Sequence, residues 1–288
     1  MSTIHLKLLF SIEAESAAKF YTELFDEGNI LQTTHYPMDR SECVACGIDA
    51  ANAGQVMNVD FRIGETIFTA INGKEGEEYN YTSSATLLLY CGSDEEYGSY
   101  VKQLSKNGKL VKKEKRFSLI QDQFGVFWRV TKDTGKQKIK PYFQFPVSTS
   151  LEDTLNSYKK IFPNMSIEKV KPNFESEEEF NIEIHNQSVI FAKAKHTKNF
   201  TESISFIVMC KNRTDVNFYW EKFSEAADGD GLHRGDSAFL VDNKGIWWQL
   251  ITQDLSEMMR DTEHLEHSIN ELNGNEEICT DEIMKRRK

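Results

Sequence analysis

The chain contains two similar halves, and this duplication limits its fold more than any other feature of the sequence. Residues 4–10 (IHLKLLF) resemble residues 139–145 (IKPYFQF), and residues 120–128 (IQDQFGVFW) resemble residues 240–248 (LVDNKGIWW). Between these segments, FYTELF and LLLYC of the first half correspond in the same order to SYKKIF and FIVMC of the second. Ordered similarity of this kind predicts two copies of one structural unit.

The duplication also predicts the domain boundaries. The chain has 288 residues, a length that suits two domains of ordinary size. The polar residues 134–137 separate the halves, so we predict a first domain at 1–134 and a second at 138–254. Residues 255–288 have no counterpart in the first half and form a separate C-terminal segment.

Within each half, apolar residues follow a strand period and then a helix period in the order β-α-β-β-β, and this order occurs twice. The helical spacing of Ala17, Tyr21 and Leu24 predicts a helix after the first strand. The other elements predicted for this half are strands at 30–36, 56–63, 66–71, 85–91, 109–119 and 125–131 and a helix at 93–106. Strands and helices mixed in this way indicate an α+β fold and not a doubly wound parallel sheet.

Composition and charge exclude several classes of protein. Apolar residues make up 39% and charged residues 27% of the chain, which is typical of globular proteins. The 34 basic and 45 acidic residues give a net charge of −11, which argues against a nucleic-acid or membrane-surface partner. No apolar run reaches the ~18 residues of a membrane helix, and the N-terminus lacks a signal-peptide pattern. Five scattered cysteines are typical of reduced thiols, so we expect a cytoplasmic protein.

The paired βαβββ modules resemble the vicinal oxygen chelate superfamily, which includes glyoxalase I, ring-cleaving dioxygenases and bleomycin-resistance proteins. Residues 58–73 (NVDFRIGETIFTAING) and 120–130 are most similar to its PhnB-like branch, as are residues 219–225 and 242–250 of the second half. The resemblance implies two tandem glyoxalase-like domains, each made of paired modules that form a cupped mixed sheet around a small-molecule ligand. Branch members are often labelled demethylubiquinone methyltransferases, but the sequence offers no glycine-rich turn of the kind that binds an adenosyl methyl donor.

The same resemblance directs attention to a metal site. In metal-using relatives a His begins the first strand, and a Glu stands four residues after the Gly of the last hairpin. Here His5 is near the first position and Lys140 is its counterpart, while Arg129 and Gln249 occupy the Glu position. An arginine cannot ligate a metal and a glutamine does so weakly. We therefore predict no metal ligands and no cofactor, and a divalent metal is the less favoured alternative.

Six residues are candidates for binding a ligand in the cups. Arg129 could hold a carboxylate or phosphate oxygen of a small anion, or it could be a surface arginine on a hairpin strand. Phe127 shares a strand face with Arg129, and Trp247 shares one with Gln249, whereas the repeated Trp128 and Trp248 suit the core. The full set of ligand-binding candidates is Arg129, Gln249, Phe127, Trp247, His5 and Gln144.

The C-terminal segment has a helical pattern of its own. Apolar residues recur at alternating three- and four-residue spacing and predict an amphipathic helix, followed by a charged tail. We expect this helix to pack on its own domain or on a second subunit, which would make a homodimer. The residues with this spacing are Leu255, Met258, Leu265, Ile269 and Leu272.

Two further patterns are expected to be structural. Cys43 and Cys46 form a CxxC in a loop, without the additional ligands that zinc needs. Residues 112–116 are rich in lysine and arginine and suit a solvated edge strand that is protected by charge.

The sequence thus predicts a PhnB-like protein of unassigned substrate that binds a small molecule without the usual metal ligands, and Arg129 leaves open that this molecule is an anion. The alternative is a glyoxalase-type lyase or isomerase, or another metal-dependent enzyme. If Arg129 holds the anion, an Arg129→Ala variant should bind it more weakly and keep its fold.

Overall fold

The computed structural model describes residues 2–45, 49–73, 76–115, 117–132, 139–172 and 176–258. These residues form four consecutive βαβββ modules, two in each half of the chain. The first module comprises β1 (Thr3–Phe10), α1 (Ala14–Leu24), β2 (Gly28–His35), α2 (Arg40–Ala45), a 3-10 turn (Ala50–Asn52), β3 (Val56–Ile63) and β4 (Thr66–Asn72). The second module comprises β5 (Ala85–Cys91), α3 (Asp94–Leu104), β6 (Lys109–Lys113), β7 (Phe117–Gln121) and β8 (Phe127–Lys132).

The second half repeats this order and adds a short helix. The third module comprises β9 (Ile139–Pro146), α4 (Leu151–Ile161), β10 (Ser166–Val170), β11 (Ser176–Ile184) and β12 (Gln187–Ala194). The fourth module comprises β13 (Ile204–Cys210), α5 (Arg213–Ala227), β14 (Asp230–Arg234), β15 (Ser237–Val241) and β16 (Trp247–Thr252), and is followed by α6 (Gln253–Met258).

Three of the module helices begin at a side-chain cap. Ser93 accepts a hydrogen bond from the backbone N–H of Glu96, and Ser150 and Asn212 cap α4 and α5 in the same way. Each cap satisfies one of the N–H groups that lack a partner at a helix start. These residues therefore fix where each helix begins after its leading strand.

Each of the two sheets combines modules from both halves of the chain. The first sheet has the order β14-β15-β16-β13-β1-β4-β3-β2, and the second has the order β10-β11-β12-β9-β5-β8-β7-β6. The modules meet where β1 pairs antiparallel with β13 and where β5 pairs antiparallel with β9. The predicted α+β fold of tandem glyoxalase-like units is confirmed, and the first module shares its sheet with the fourth. The domain boundaries at 134 and 138 stay a prediction. They separate the two sequence repeats, whereas each sheet contains strands from both repeats.

Strand alternation gives each sheet two different faces. Along β1, Leu6 and Leu8 point into a large apolar core that also includes residues of the second sheet, whereas His5 and Lys7 point to the opposite face. We call this opposite face of each sheet its cup face. The same alternation along β16 places Trp248 in the core and Gln249 on the cup face.

A repeated buried aspartate joins the modules within each half. Asp122 accepts hydrogen bonds from the Tyr21 hydroxyl at 2.7 Å and from the Trp128 indole at 2.8 Å. In the second half, Asp242 accepts hydrogen bonds from Tyr158 and Trp248. The helix of one module is thereby tied to the last hairpin of the next. Both tryptophans are fully buried, which confirms their predicted place in the core.

Some elements differ from the sequence expectation. The strand predicted at 109–119 is two strands, β6 and β7, because the chain turns where the Glu114 N–H bonds to the carbonyl oxygen of Phe117. β6 is an edge strand with mostly exposed side chains, as its charge pattern predicts. Residues 259–288 lie outside the described part of the chain, and so does most of the predicted C-terminal helix. No helix in the described part is long and apolar enough to cross a membrane.

Candidate functional site

A cavity of about 280 Å³ lies on the cup face of the first sheet. Its walls come from both halves of the chain, because β1, β3 and β4 belong to the first module and β13 and β16 to the fourth. The lining residues are His5, Lys7, Thr34, Tyr36, Met57, Asn58, Asp60, Thr69, Ile71, Ile207, Met209, Gln249, Ile251 and Ser256. Its volume suits a small organic molecule, since sites for drug-sized ligands occupy about 300–1,000 Å³.

Lys7 is a buried cation in this cavity. Its side chain is 6% exposed, and its Nζ atom lies 5.0 Å from the centroid of the Phe239 ring. Within the described residues, no hydrogen bond or ion pair reaches the Lys7 ammonium. Burial lowers the pKa of Lys7 from 10.5 to about 8, and the nearby charge of Glu202 opposes this shift.

A polar chain of three side chains runs along the same face. The Thr69 hydroxyl donates a hydrogen bond to Asp60 Oδ1 at 2.7 Å, and His5 Nδ1 lies 3.1 Å from the same hydroxyl oxygen. A hydroxyl has one proton, which Thr69 gives to Asp60, so His5 Nδ1 donates to Thr69. This arrangement fixes the tautomer and the ring orientation of His5.

The remaining walls of the cavity are largely apolar. Ile207, Met209 and Ile251 pack with the fully buried Leu255 of α6, and Ile71 packs against this group. The first residues after β16 thus pack on the sheet of their own chain. The cavity therefore combines one cation, a few hydrogen-bonding groups and an apolar wall, which is the usual composition of a small-molecule site.

The cup face of the second sheet is filled by its own side chains. Arg129 donates a hydrogen bond to Gln144 Oε1 at 2.6 Å, and its guanidinium carbon lies 5.1 Å from the centroid of the Tyr142 ring. The Tyr142 hydroxyl donates to Glu179 Oε1 at 2.7 Å. All four residues are at most 5% exposed, and Arg129 also donates to the carbonyl oxygen of Ser83 at 3.3 Å, so the hydrogen bonds of this group are made to protein atoms.

The strand registers show which positions of the two cups are equivalent, and different side chains occupy them. His5 lies opposite Ile207, whose other neighbour is Gln249. In the second sheet, Lys140 lies opposite Leu88, whose other neighbour is Arg129, as the repeat alignment predicts. Two residues further along each first strand, Lys7 occupies the position that Tyr142 occupies in the second sheet. A ring that bonds to Glu179 fills one cup, whereas a lysine lies over Phe239 beside the cavity in the other.

The structure divides the six candidate residues among different places. His5 and Gln249 line the first-sheet cavity, and Arg129 and Gln144 bond to each other in the second sheet. Phe127 belongs to the core, and Trp247 packs against Phe239 with ring centroids 5.2 Å apart. Because the modules pair across the halves, Arg129 and His5 lie in different sheets.

Sequence reasoning missed Lys7 and Asp60. Both residues occupy cup-face positions of strands whose other face is apolar, and both are buried. A charged residue in such a strand is a signal that could have identified them, since it must be paired, solvated or functional. Cys43 is buried and its thiol donates to the carbonyl oxygen of Pro37 at 3.4 Å, while Cys46 lies outside the described residues.

The residues of the cavity do not fit a divalent metal ion. Beyond the Nδ1 and Oδ1 atoms that Thr69 engages, His5 and Asp60 could supply one strong ligand each, and Gln249 would be a weak third. The ammonium of Lys7 lines the same small space and would repel a second cation. In the described part of the chain, no three His, Cys, Asp or Glu side chains gather where they could hold a metal.

Comparison with known proteins agrees with this geometry. A family model described as 3-demethylubiquinone-9 3-methyltransferase matches residues 2–131 and again residues 137–251. The structure of glyoxalase I from Zea mays superposes with a TM-score of 0.59 at 14% identity, covering 92% of this chain and 97% of that one. A PhnB protein from Bacillus cereus is 24% identical, with a TM-score of 0.39, and covers 45% of this chain and 98% of its own. No curated protein matches the chain.

Proposed function

Because the chain belongs to the PhnB-like 3-demethylubiquinone-9 3-methyltransferase family of the vicinal oxygen chelate superfamily, we propose that it uses one cup to bind a small organic anion. The site is the first-sheet cavity, and the observation that supports it is the buried ammonium of Lys7. Desolvating a cation is costly, and an anionic head group beside it would reduce that cost, as the nearby charge of Glu202 already does in part. Ile207, Met209 and Ile251 would contact the apolar body of the ligand.

The proposed binding needs neither a metal nor another cofactor. The alternative of a metal-dependent lyase or isomerase is not better supported, because the donor set around His5 does not fit a divalent ion. Methyl transfer, which the family description names, likewise has no supporting feature in the cavity.

A Lys7→Met variant tests the proposal, with benzoate as the anionic probe and benzyl alcohol as its neutral match. By calorimetry, we expect the wild-type protein to bind benzoate more tightly than benzyl alcohol. Lys7→Met should weaken benzoate binding at least tenfold, or about 1.4 kcal/mol, and leave benzyl alcohol unchanged. Lys19→Met removes an exposed lysine that pairs with Glu15 on α1, and it should bind like the wild type. Equal benzoate affinity in Lys7→Met and the wild type would contradict the proposal.

The proposal also predicts how affinity depends on pH. The anion binds the protonated form of Lys7, whose pKa is about 8 in the absence of ligand. Benzoate affinity should therefore be constant below pH 8 and fall about tenfold for each pH unit above it. The titratable groups nearby are Glu202, His5 and Asp60, so the Lys7→Met variant serves as the reference for their contribution. A pH profile that is identical in the two proteins would assign the dependence to those groups instead.

A further inference from the structure

The amine of Lys7 has a second chemical capability. Its side chain is 6% exposed, lines a cavity with apolar walls, and within the described residues makes no hydrogen bond or ion pair. Its Nζ atom lies 5.0 Å from the centroid of the Phe239 ring, and the charge of Glu202 is nearby. Lys7 lines the cavity, so a small molecule bound there would lie beside its side chain.

The surroundings also increase the neutral fraction of this amine. An ordinary lysine has a pKa of 10.5, whereas burial lowers the pKa of Lys7 to about 8. At pH 7 the neutral, nucleophilic form of Lys7 is therefore about 300-fold more abundant than that of an exposed lysine. Lysines that form covalent imines in enzymes are activated by the same desolvation.

We propose that Lys7 forms a reversible imine with small aldehydes or ketones that enter the first-sheet cavity. This inference extends the proposed function and rests on one part of it, namely that the cavity admits a small molecule. The ligand class it adds is a compact carbonyl compound with an apolar body. Such a compound would compete with the anion, because both need Lys7.

The reaction balances without an oxidant, a reductant or a cofactor. The lone pair of the neutral amine attacks the carbonyl carbon, and a proton moves from nitrogen to oxygen to give a carbinolamine. The carbon–oxygen bond then breaks, the oxygen leaves as water, and a carbon–nitrogen double bond remains. His5 lies two residues before Lys7 on the same face of β1, where it is placed to carry protons between these steps.

Reductive trapping on the full chain tests the inference. Benzaldehyde is the probe, sodium cyanoborohydride reduces the imine at neutral pH, and peptide mapping by mass spectrometry locates the benzyl group. We expect a single addition at Lys7, at least tenfold faster than at any other lysine. Lys19→Met should be labelled as fast as the wild type, and Lys7→Met should lose the fast phase. Equal labelling of Lys7 and the exposed lysines in the folded wild type would overturn the inference without reliance on any variant.

Benzoate separates this inference from the proposed function. If benzoate binds and slows the labelling of Lys7, both statements hold for one cavity. If benzoate binds but Lys7 is not labelled preferentially, the imine is wrong and anion binding stands. If Lys7 is labelled preferentially but benzoate neither binds nor protects, anion binding is wrong and the imine stands.

Discussion

Replacing Asp122 by asparagine is expected to lower the free energy of unfolding by about 1–3 kcal/mol, since a buried donor left without an acceptor costs about 1–3 kcal/mol. Asparagine also removes a buried charge, whose desolvation raises the pKa of Asp122, and this relief offsets part of the cost of the lost hydrogen bonds. One carboxylate oxygen of Asp122 accepts from Tyr21 and Trp128, and the other accepts from the backbone N–H groups of Phe124 and Val126 at 2.9 and 3.0 Å. Whichever way the amide turns, its NH₂ group faces at least one N–H group that can only donate, the Trp128 indole on one side or the two backbone N–H groups on the other. Urea denaturation at neutral pH measures the loss directly.

The second half of the chain supplies the matched variant. Asp242 has the same four kinds of partner, so Asp242→Asn should destabilise the protein by a similar amount. Tyr21→Phe removes one donor and leaves the other three bonded, so it should cost only about 1 kcal/mol. Burial raises the pKa of Asp122 to about 6, so the group is ionised in this experiment. A loss below 1 kcal/mol in both asparagine variants would show that these bonds contribute little to folding.

Arg129→Ala is expected to destabilise the protein by about 2–4 kcal/mol, because it removes a buried cation from a closed polar network. The variant leaves the Gln144 side chain without its 2.6 Å donor and removes the charge that faces the Tyr142–Glu179 pair. It should leave benzoate affinity unchanged, since Arg129 lies in the second sheet. Both outcomes differ from the sequence expectation of an intact fold with weaker anion binding.

Lys140→Ala is the control for this measurement. Lys140 lies on the same cup face but is only half-buried, and it bonds to Asn181 at 2.8 Å. We expect its loss to cost less than about 1 kcal/mol. If the Arg129→Ala protein has wild-type stability and does not bind benzoate, the anion site lies in the second sheet and the proposal for the first-sheet cavity is wrong.

The sequence predicted the modules well because each one has its own local signals. The apolar run of residues 85–91 and the capped helix that follows are set within about 20 residues. The pairing of modules is not local in this sense. β1 pairs with β13, some 200 residues away along the chain. The alternation of apolar residues in β1 would suit pairing with another strand of similar pattern equally well, so it does not identify the partner.

The candidate site was predicted only in part for the same reason. The sequence identifies His5 and Gln249 as candidates, but their shared cavity depends on the pairing of β1, β13 and β16. Arg129 was favoured as the anion-binding cation because its partners could not be known. A cation at a cup-face position is available to a ligand only if neighbouring side chains do not engage it. Arg129 is engaged by Gln144 and Tyr142.

The pairing of modules across the halves also bears on how the two cups came to differ. If the halves were separate chains, the first module of one copy would share a sheet with the second module of another, giving two equivalent cups around a twofold axis. In such a dimer every substitution is inherited by both cups at once. Joining the copies into one chain ends this constraint, because Lys7 and Tyr142 are then encoded separately. One cup can become a packed interior while the other remains available to a ligand.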